Sequence, residues 1–256
     1  MLSESIHPTH GVVHKLVSTI SGLRCAYPGV PTNGPQEENN SSDRDEWMAR
    51  RMQFKLRSSE MPTICNHNAF STPLQLAIRT AVKGTHLWNP VAEHRANMNN
   101  VHLNRGNRLE PKAKEKFEVV TGLKLLPLSS SAIFTNDNVF DGQLGGTPDG
   151  VTETMQLVEI KCPAKLNPSR AYASYNDQVQ SYLHIFQMQV GYLFQYVSDD
   201  DWHLTTIERE EDWLERVTVH VEHYTALYDR LYPLYRGNPF SRPPKATENE
   251  EEVPVA

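Results

Sequence analysis

The chain has 256 residues, of which 38% are hydrophobic and 9% aromatic, so it is long enough to bury a sizeable core. It contains no run of 18 apolar residues, and its first residues lack a basic stretch followed by an apolar one. These features exclude a membrane-spanning helix and show no secretory signal. We therefore expect an intracellular protein without membrane contact, in the cytoplasm or the nucleus.

The net charge of −6 neither supports nor excludes DNA as a partner, because DNA binding needs local rather than global positive charge. Positive charge is concentrated in two places. One cluster comprises Arg44, Arg50, Arg51, Lys55 and Arg57, and the other comprises Arg105, Arg108, Lys112, Lys114 and Lys116. Either cluster could contact phosphates.

Cysteine and histidine patterns do not indicate a metal site. The three cysteines are far apart, whereas disulfide frameworks and zinc sites need paired spacings. The pairs His10/His14 and His220/His223 stand at helical spacing, but neither has a third ligand beside it. Reduced thiols and a site without histidine are the simpler interpretation.

Composition divides the chain into three parts. A Pro/Gly-rich and then polar stretch predicts a flexible N-terminal segment over residues 1–42. A folded domain is expected over residues 43–236, and the acidic tail over residues 237–256 is expected to be disordered.

Within the folded part, helices and strands alternate. A first helix is predicted from Asp43 and includes Met52, Phe54 and Leu56. A second is predicted over residues 71–83, with Thr72 as its cap and Pro73 in its first turn, and no firm prediction is made over 84–104. A third has Pro111 in its first turn and ends at Gly122.

Strands are predicted at 123–128, 131–135, 139–145, 155–162, 191–197 and 202–207, and further helices at 172–189 and 211–231.

The most informative stretch is Gly145-Gly146-Thr147-Pro148-Asp149-Gly150, followed nine residues on by Glu159-Ile160-Lys161-Cys162-Pro163. Residues two apart on a strand face the same side, so Glu159 and Lys161 point together while Val158 and Ile160 face the apolar side. Burying a carboxylate and an ammonium without compensation costs several kcal/mol. A divalent cation shared with Asp149 across a hairpin would supply that compensation.

This set of groups suits phosphodiester hydrolysis. The reaction needs a water deprotonated near neutral pH, neutralised phosphate charge and a stabilised leaving oxygen. Asp149 and Glu159 would bind Mg²⁺ or Mn²⁺, the backbone carbonyl of Ile160 could add an oxygen, and Lys161 would hold or polarise the attacking water. The alternative is a surface aspartate in a turn beside a solvated edge strand.

Four segments in order resemble the YqaJ-type viral recombinase nucleases, the phage lambda exonuclease group of PD-(D/E)xK enzymes. They are Trp47-x-x-x-Arg51, the helix segment from Arg105 through Arg108 and Glu110 to Gly122, the Asp149/Glu159/Lys161 core, and Asp177-Gln178-Val179-Gln180. The resemblance covers roughly residues 43 to 210. It implies an α/β fold like that of restriction endonucleases, with a central mixed β-sheet flanked by helices.

The resemblance also implies roles for single residues. Glu110 matches a helix carboxylate that reaches the metal cluster, and Gln178 matches a residue near the water and scissile phosphate. Arg51 matches an arginine that engages DNA phosphate. The ordinary alternatives are a first-turn glutamate favoured by the helix dipole, a polar helix face and a solvated basic helix.

Two departures bear on how DNA would run. The segment Arg57-Ser58-Ser59-Glu60-Met61-Pro62 replaces the family's usual turn. The family's phosphate-binding arginine is not at its usual spacing after Pro163, so Lys165 or Arg170 would have to substitute for it.

The favoured hypothesis is a Mg²⁺-dependent exonuclease that degrades one strand of linear double-stranded DNA 5′ to 3′ for recombination or viral DNA processing. The resemblance implies a trimeric ring as the homo-oligomer and a single-strand annealing protein as a partner. One alternative is an endonuclease or a RecB-like or Cas4-like nuclease of the same fold. A second is a non-catalytic DNA-binding module.

Overall fold

The computed structural model describes residues 8–27, 50–82, 101–129 and 131–236. Its helices are α1 (Pro8–Thr19), α2 (Met61–Ile64), α3 (Pro73–Val82), α4 (Val101–Thr121), α5 (Pro168–Ile185) and α6 (Trp213–Arg236). Its strands are β1 (Leu23–Tyr27), β2 (Leu56–Arg57), β3 (Ile133–Asn136), β4 (Leu144–Gly146), β5 (Gly150–Val151), β6 (Leu157–Lys161), β7 (Val190–Ser198) and β8 (Asp201–Glu208). None of these helices is long and apolar enough to span a bilayer.

The strands form two mixed four-stranded sheets, which agrees with the predicted α/β class but divides the predicted central sheet in two. The first sheet has the order β1-β3-β4-β2 and the second the order β5-β6-β7-β8. In the second sheet only β6 and β7 are parallel, and α5 makes the crossover between them. The two sheets meet on α5, which contacts strands of both.

Apolar side chains fill both sides of the second sheet. On one side α4 packs Ala113 and Phe117 onto β6 and β7, and the Phe117 ring lies edge-on to that of Phe194 with centroids 5.7 Å apart. On the other side Val179 and Leu183 of α5 belong to the main core, which continues through the first sheet and α6. The central strands are therefore covered on both faces.

Helix α3 begins as its sequence predicts. Thr72 Oγ1 accepts from the backbone N–H of Gln75 at 3.2 Å, and Gln75 Oε1 accepts from the N–H of Thr72 at 3.0 Å. This reciprocal capping satisfies two donors that a helix start leaves unpaired. Pro73 follows in the first turn, where its missing N–H is not needed.

Helix α4 starts well before the predicted position. Pro111 lies inside the helix rather than in its first turn, although Gly122 ends it as expected with a φ of +71°. The upstream turns are held by tertiary contacts. Leu109 packs on the apolar cluster that contains Ala113 and Phe117. Arg105 donates to the carbonyls of Pro163, just beyond β6, and Val197 in β7. These contacts offset the hydrogen bond that Pro111 cannot make.

Part of the segment predicted to be flexible is folded, because α1 and β1 lie within residues 8–27 and β1 pairs with β3. The prediction of a helix through Phe54 and Leu56 was wrong. Residues 50 and 51 are helical, but Leu56 belongs to β2. Residues 43–49 of that helix, and the tail over residues 237–256, lie outside the described residues.

Two predicted strands are also corrected. The stretch 123–128 forms only a single bridge, between Leu125 and Thr152. The stretch 139–145 contains a 3₁₀ turn at Phe140–Gly142, where Phe140 and Asp141 have φ values of +47° and +52°. This left-handed backbone breaks the strand and delays β4 to Leu144.

Strand β4 runs between two aromatic rings that approach its backbone closely. A Cβ on Gly145 would lie 2.6 Å from the Phe54 ring, and a Cβ on Gly146 would lie 2.5 Å from the Tyr182 ring and also meet Ser58. Only glycine fits at either position. The close approach brings α5 against the loop that leads from β4 to the candidate active site.

Candidate active site

Strand β6 places alternate side chains on opposite faces of its sheet. Val158 and Ile160 join the apolar cluster under α4. Glu159 and Lys161 face α5, where Glu159 Oε1 accepts from Lys161 Nζ at 2.5 Å and from Gln178 Nε2 at 2.8 Å. The strand and the helix thus join three predicted site residues in one network.

The hairpin of β5 and β6 brings Asp149 to the same place. Gly150 pairs with Val158 in the antiparallel register, and Asp149 directly precedes β5. Asp149 Oδ2 accepts from the backbone N–H of Ile160 at 2.7 Å. The aspartate from the turn is therefore fixed beside the acidic and basic residues of β6.

The electrostatics of this cluster favour a bound cation. Burial, reinforced by the nearby charge of Glu159, raises the pKa of Asp149 to about 8. Burial also raises the pKa of Glu159, against the influence of Lys161. Burial disfavours the charged form of Lys161, but the two carboxylates outweigh it and raise its pKa. The raised pKa values show that the two carboxyls resist ionising together, and a bound cation would relieve that repulsion.

One acceptor in the cluster is left without a partner. Glu159 is only 3% exposed, and its Oε2 has no hydrogen-bond donor although Oε1 has two. An unsatisfied buried oxygen costs on the order of 1–3 kcal/mol, and more when charged. A divalent cation between Glu159 and Asp149 would satisfy it, and carboxylate oxygens are the donors that Mg²⁺ and Mn²⁺ prefer. The residues present therefore fit such an ion.

Glu110 lies near Asp149 and Glu159 but does not form a three-carboxylate metal site with them. Its charge adds to the raised pKa of Asp149 and Glu159, but its Oε1 accepts from Lys114 Nζ at 2.8 Å. Among the described residues, no group of three His, Cys, Asp or Glu side chains could hold a metal ion. As the tenth residue of α4, Glu110 is not a first-turn residue, which removes the helix-dipole alternative. Its role toward a metal stays a prediction.

Tyr182 is a site residue that the sequence analysis missed. Its hydroxyl accepts from Gln178 Nε2 at 3.1 Å and donates to the carbonyl of Thr147 at 3.0 Å. Burial raises the pKa of Tyr182 well above its usual value, so the hydroxyl stays protonated and can do both. The spacing of four between Gln178 and Tyr182, which places both on one helix face, was the available signal.

Tyr175 completes the α5 side of the site. Lys161 Nζ lies 4.6 Å from the centroid of its ring, within range of a cation–π contact. The ammonium is thus held between this ring and Glu159, with its side chain 26% exposed. Lys161 is ordered at the mouth of the site rather than sealed inside it.

Arg51 contacts the segment 57–62, which replaces the family's usual turn. It donates through Nη2 to Ser59 Oγ at 2.7 Å. Burial lowers the pKa of Arg51, and the charge of Glu60 opposes this effect. Arg51 and Ser59 therefore present a guanidinium and a hydroxyl together, on the Tyr182 side of the site.

The other basic residues predicted to contact DNA lie in different settings. Arg105 donates to the carbonyls of Pro163 at 3.0 Å and Val197 at 3.1 Å, which ties α4 to the ends of β6 and β7. Arg108 and Lys165 are exposed. Arg170, at the start of α5, places its guanidinium 5.4 Å from the centroid of the exposed Phe70 ring. Their contact with DNA stays a prediction.

Comparison with known proteins gave a family match and similar solved structures. The model of the YqaJ-like viral recombinase domain matches residues 46–192. An alkaline exonuclease (LHK-Exo) from Laribacter hongkongensis is similar in structure, with a TM-score of 0.55 and 21% identity over 75% of this chain and 97% of that one. The structure of LHK-Exo in complex with dAMP gives a TM-score of 0.55 and 22% identity over the same shares. No curated protein matched the sequence.

Family and fold together define the class of protein as a hydrolase that cleaves DNA. The chain belongs to the YqaJ-like viral recombinase domain family, whose model covers more than half of it and spans Asp149, Glu159, Lys161 and Gln178.

The raised pKa of Asp149 predicts how the metal-free protein responds to pH. The folded state holds a proton on this carboxyl up to about pH 8, whereas the unfolded chain releases it near 3.8. The stabilisation is therefore complete below pH 3.8 and lost as pH rises through about 8, by at most about 1.4 kcal/mol per pH unit. In a chelator, Asp149→Asn should be more stable than the wild type at pH 8 and similar near pH 4.

Thermal melting of both proteins between pH 4 and pH 9 would measure this. Asp200→Asn, in the exposed turn between β7 and β8, is the matched control and should follow the wild type. Parallel wild-type and Asp149→Asn stability curves across that range would contradict the assignment of a buried, protonated Asp149.

Removing the Tyr182 hydroxyl should weaken Mg²⁺ binding although no charged group is lost from the site. In Tyr182→Phe, Gln178 loses an acceptor and the carbonyl of Thr147 loses its donor, at a cost of about 0.5–1.5 kcal/mol per hydrogen bond. Because partners of ligating residues tune metal affinity, calorimetric titration with Mg²⁺ should show about 10- to 100-fold weaker binding. Tyr172→Phe, an exposed position on the same helix, is the control, and equal Mg²⁺ affinity in the two variants would contradict the positioning role.

Proposed function

We propose that this protein is a metal-dependent exonuclease that degrades one strand of linear double-stranded DNA from its 5′ end and leaves a single strand for recombination or viral DNA processing. The observation that carries the proposal is the unpaired Glu159 Oε2 beside Asp149 and Lys161. The similar structures, those of an alkaline exonuclease and its dAMP complex, support the reaction type.

Mg²⁺ is the preferred cofactor in this proposal, with Mn²⁺ as a substitute, because the ligands on offer are oxygens. Asp149 and Glu159 would hold it. The backbone carbonyl of Ile160, water and substrate phosphate would add oxygens, and Glu110 would act directly or through water. Bound there, the ion would neutralise phosphate charge and lower the pKa of water toward neutrality.

The remaining groups act on the nucleophile and on the phosphate. Lys161 donates from a protonated ammonium, which orients the attacking water and stabilises charge on the phosphate oxygens. Gln178 holds Glu159 Oε1 in place, and because its two N–H groups go to Glu159 and Tyr182, its carbonyl oxygen is left to accept from the attacking water. Tyr182 fixes Gln178 against the Thr147 carbonyl, so the helix and the hairpin keep their spacing.

Recognition of the 5′ end falls to Arg51 with Ser59 in this proposal. A guanidinium and a hydroxyl 2.7 Å apart form a pair of donors suited to a terminal phosphate. Their position beside Tyr182 supports a terminus held close to the catalytic groups. Arg108, Lys165 and Arg170 would contact the DNA backbone farther from the end.

The domain bounds and the binding partners follow from the proposed nuclease function. The nuclease domain would span residues 43–236, bind duplex ends, assemble as a trimeric ring and deliver its product to a single-strand annealing protein. An endonuclease or a RecB-like or Cas4-like nuclease on this fold is the alternative within nucleases. For the Cas4-like case, three widely separated cysteines offer no four-cysteine cluster.

The direct test uses linear duplex labelled at the 5′ or the 3′ end, and a sealed circle, each incubated with Mg²⁺. We expect early release of the 5′ label as a mononucleotide and no cutting of the circle. Asp149→Asn should slow release roughly 10²-fold or more, because an essential charged group is lost. Asp200→Asn should match the wild type.

Equal cutting of linear and circular DNA would favour the endonuclease. Release of the 3′ label first would reverse the proposed polarity. Full activity of Asp149→Asn would remove the catalytic assignment altogether.

Substitution of Arg51 should reveal the end-binding role. In Arg51→Gln the KM for a 5′-phosphorylated end should rise roughly 10- to 100-fold, the usual loss for a hydrogen bond to a charged group, while ends with a 5′-hydroxyl are degraded as before. Arg24→Gln, an exposed arginine paired with Asp137, is the control. An equal loss on both kinds of end would show that Arg51 acts elsewhere.

A further inference from the structure

Basic residues run along one exposed side of helix α4. Arg105, Arg108, Lys112 and Lys116 are separated by three, four and four residues, so they share one face of the helix. Arg108 and Lys112 are exposed, and Arg105 and Lys116 are partly exposed. We call these four residues the basic stripe.

Arg105 donates to two backbone carbonyls, but the other three residues of the stripe keep their charge available. Other lysines of this region are paired, Lys114 with Glu110 and Lys124 with Glu118. Within the part of the chain that the structure describes, no acidic partner is found for Arg108, Lys112 or Lys116. Unpaired cations on one helix face raise the local potential for a polyanion.

An exposed aromatic ring lies at the far end of the stripe. Trp202, on strand β8, is 37% exposed, and Lys116 Nζ lies 6.0 Å from the centroid of its ring. On its inner side the ring packs against Phe194 with centroids 5.9 Å apart, which fixes its orientation. A fixed, solvent-facing indole beside cations is suited to stack an unpaired base.

At its other end the stripe contacts the segment that follows β6, the strand that carries Glu159 and Lys161. Arg105 donates to the carbonyl of Pro163, two residues after Lys161. The stripe from Arg105 to Lys116 spans roughly 16 Å at the rise of an α-helix, enough for on the order of three to five phosphates. The exposed acidic turn Asp199-Asp200-Asp201 bounds this surface at the hairpin tip and would repel a strand from that side.

We propose that the basic stripe and Trp202 form a second DNA-binding surface that holds single-stranded DNA leaving the active site. The inference rests on the proposed nuclease function and specifies what becomes of its product. Single-stranded rather than duplex DNA is indicated because stacking on Trp202 requires a base released from its neighbours, while the stripe contacts only backbone. Non-specific binding of this kind combines phosphate contacts with aromatic stacking.

The test is a titration of the full-length chain, in a chelator, with a fluorescein-labelled oligodeoxythymidylate and with a duplex of equal length. Trp202→Ala should weaken oligodeoxythymidylate binding about 5- to 100-fold, the range for loss of one stacked base, and Trp202→Phe should restore most of it. Lys112→Gln should lower the slope of log affinity against log salt by about 0.7. Lys124→Gln, which removes a paired lysine just beyond the helix, should bind within about twofold of the wild type.

Unchanged single-strand binding in Trp202→Ala and Lys112→Gln, with normal melting temperatures, would overturn the inference. Equal weakening on single strands and duplex would also overturn it, because the surface would then take duplex. Mg²⁺-dependent degradation of linear duplex by the wild type reports separately on the proposed function. Loss of the proposed nuclease activity is thus distinguishable from absence of single-strand binding at the basic stripe and Trp202.

Discussion

Strand β6 delivers Glu159 and Lys161 to one side of a sheet, and the hairpin before it adds Asp149, so two acids and one base share a site poorly reached by water. Ions removed from water each cost several kcal/mol unless partners replace the lost hydration. The surroundings supply part of that compensation: the Ile160 N–H for Asp149, and Gln178 for Glu159. An unpaired oxygen and two acids that resist ionising together are left over, and both suit a hard divalent cation.

Helix α5 supports this cluster by using two faces for different tasks. One face directs Gln178 and Tyr182 toward the hairpin. The next carries the buried Asp177, whose Oδ1 accepts from Trp213 Nε1 at 3.1 Å and whose Oδ2 lies 2.6 Å from His67 Nδ1. These bonds fasten the helix to α6 and to the loop after α2. A helix anchored on one face can hold side chains on the other in fixed positions, as a preorganised site requires.

The sequence predicted what depends on short-range periodicity. Alternation along β6 placed the acid and the base together, and the capping pattern at Thr72 fixed the start of α3. It did not predict features that depend on distant contacts. Pro111 suggested a helix start, yet Arg105 binds carbonyls 58 and 92 residues away and holds the helix upstream. Tyr182 was missed because its role depends on Thr147, which is remote in sequence and close only after folding.

The two glycines of β4 have a consequence for how this scaffold can vary. With an aromatic ring on each side of a bare backbone, the distance between the Phe54 and Tyr182 layers equals the thickness of one peptide chain. No side chain fits between the two rings. Substitutions in the surrounding core therefore cannot easily change the distance between Phe54 and Tyr182. The position of the Tyr182 hydroxyl is therefore set by main-chain dimensions, which do not change with sequence. The neighbouring loops can vary in sequence while the distance between the two rings stays the same.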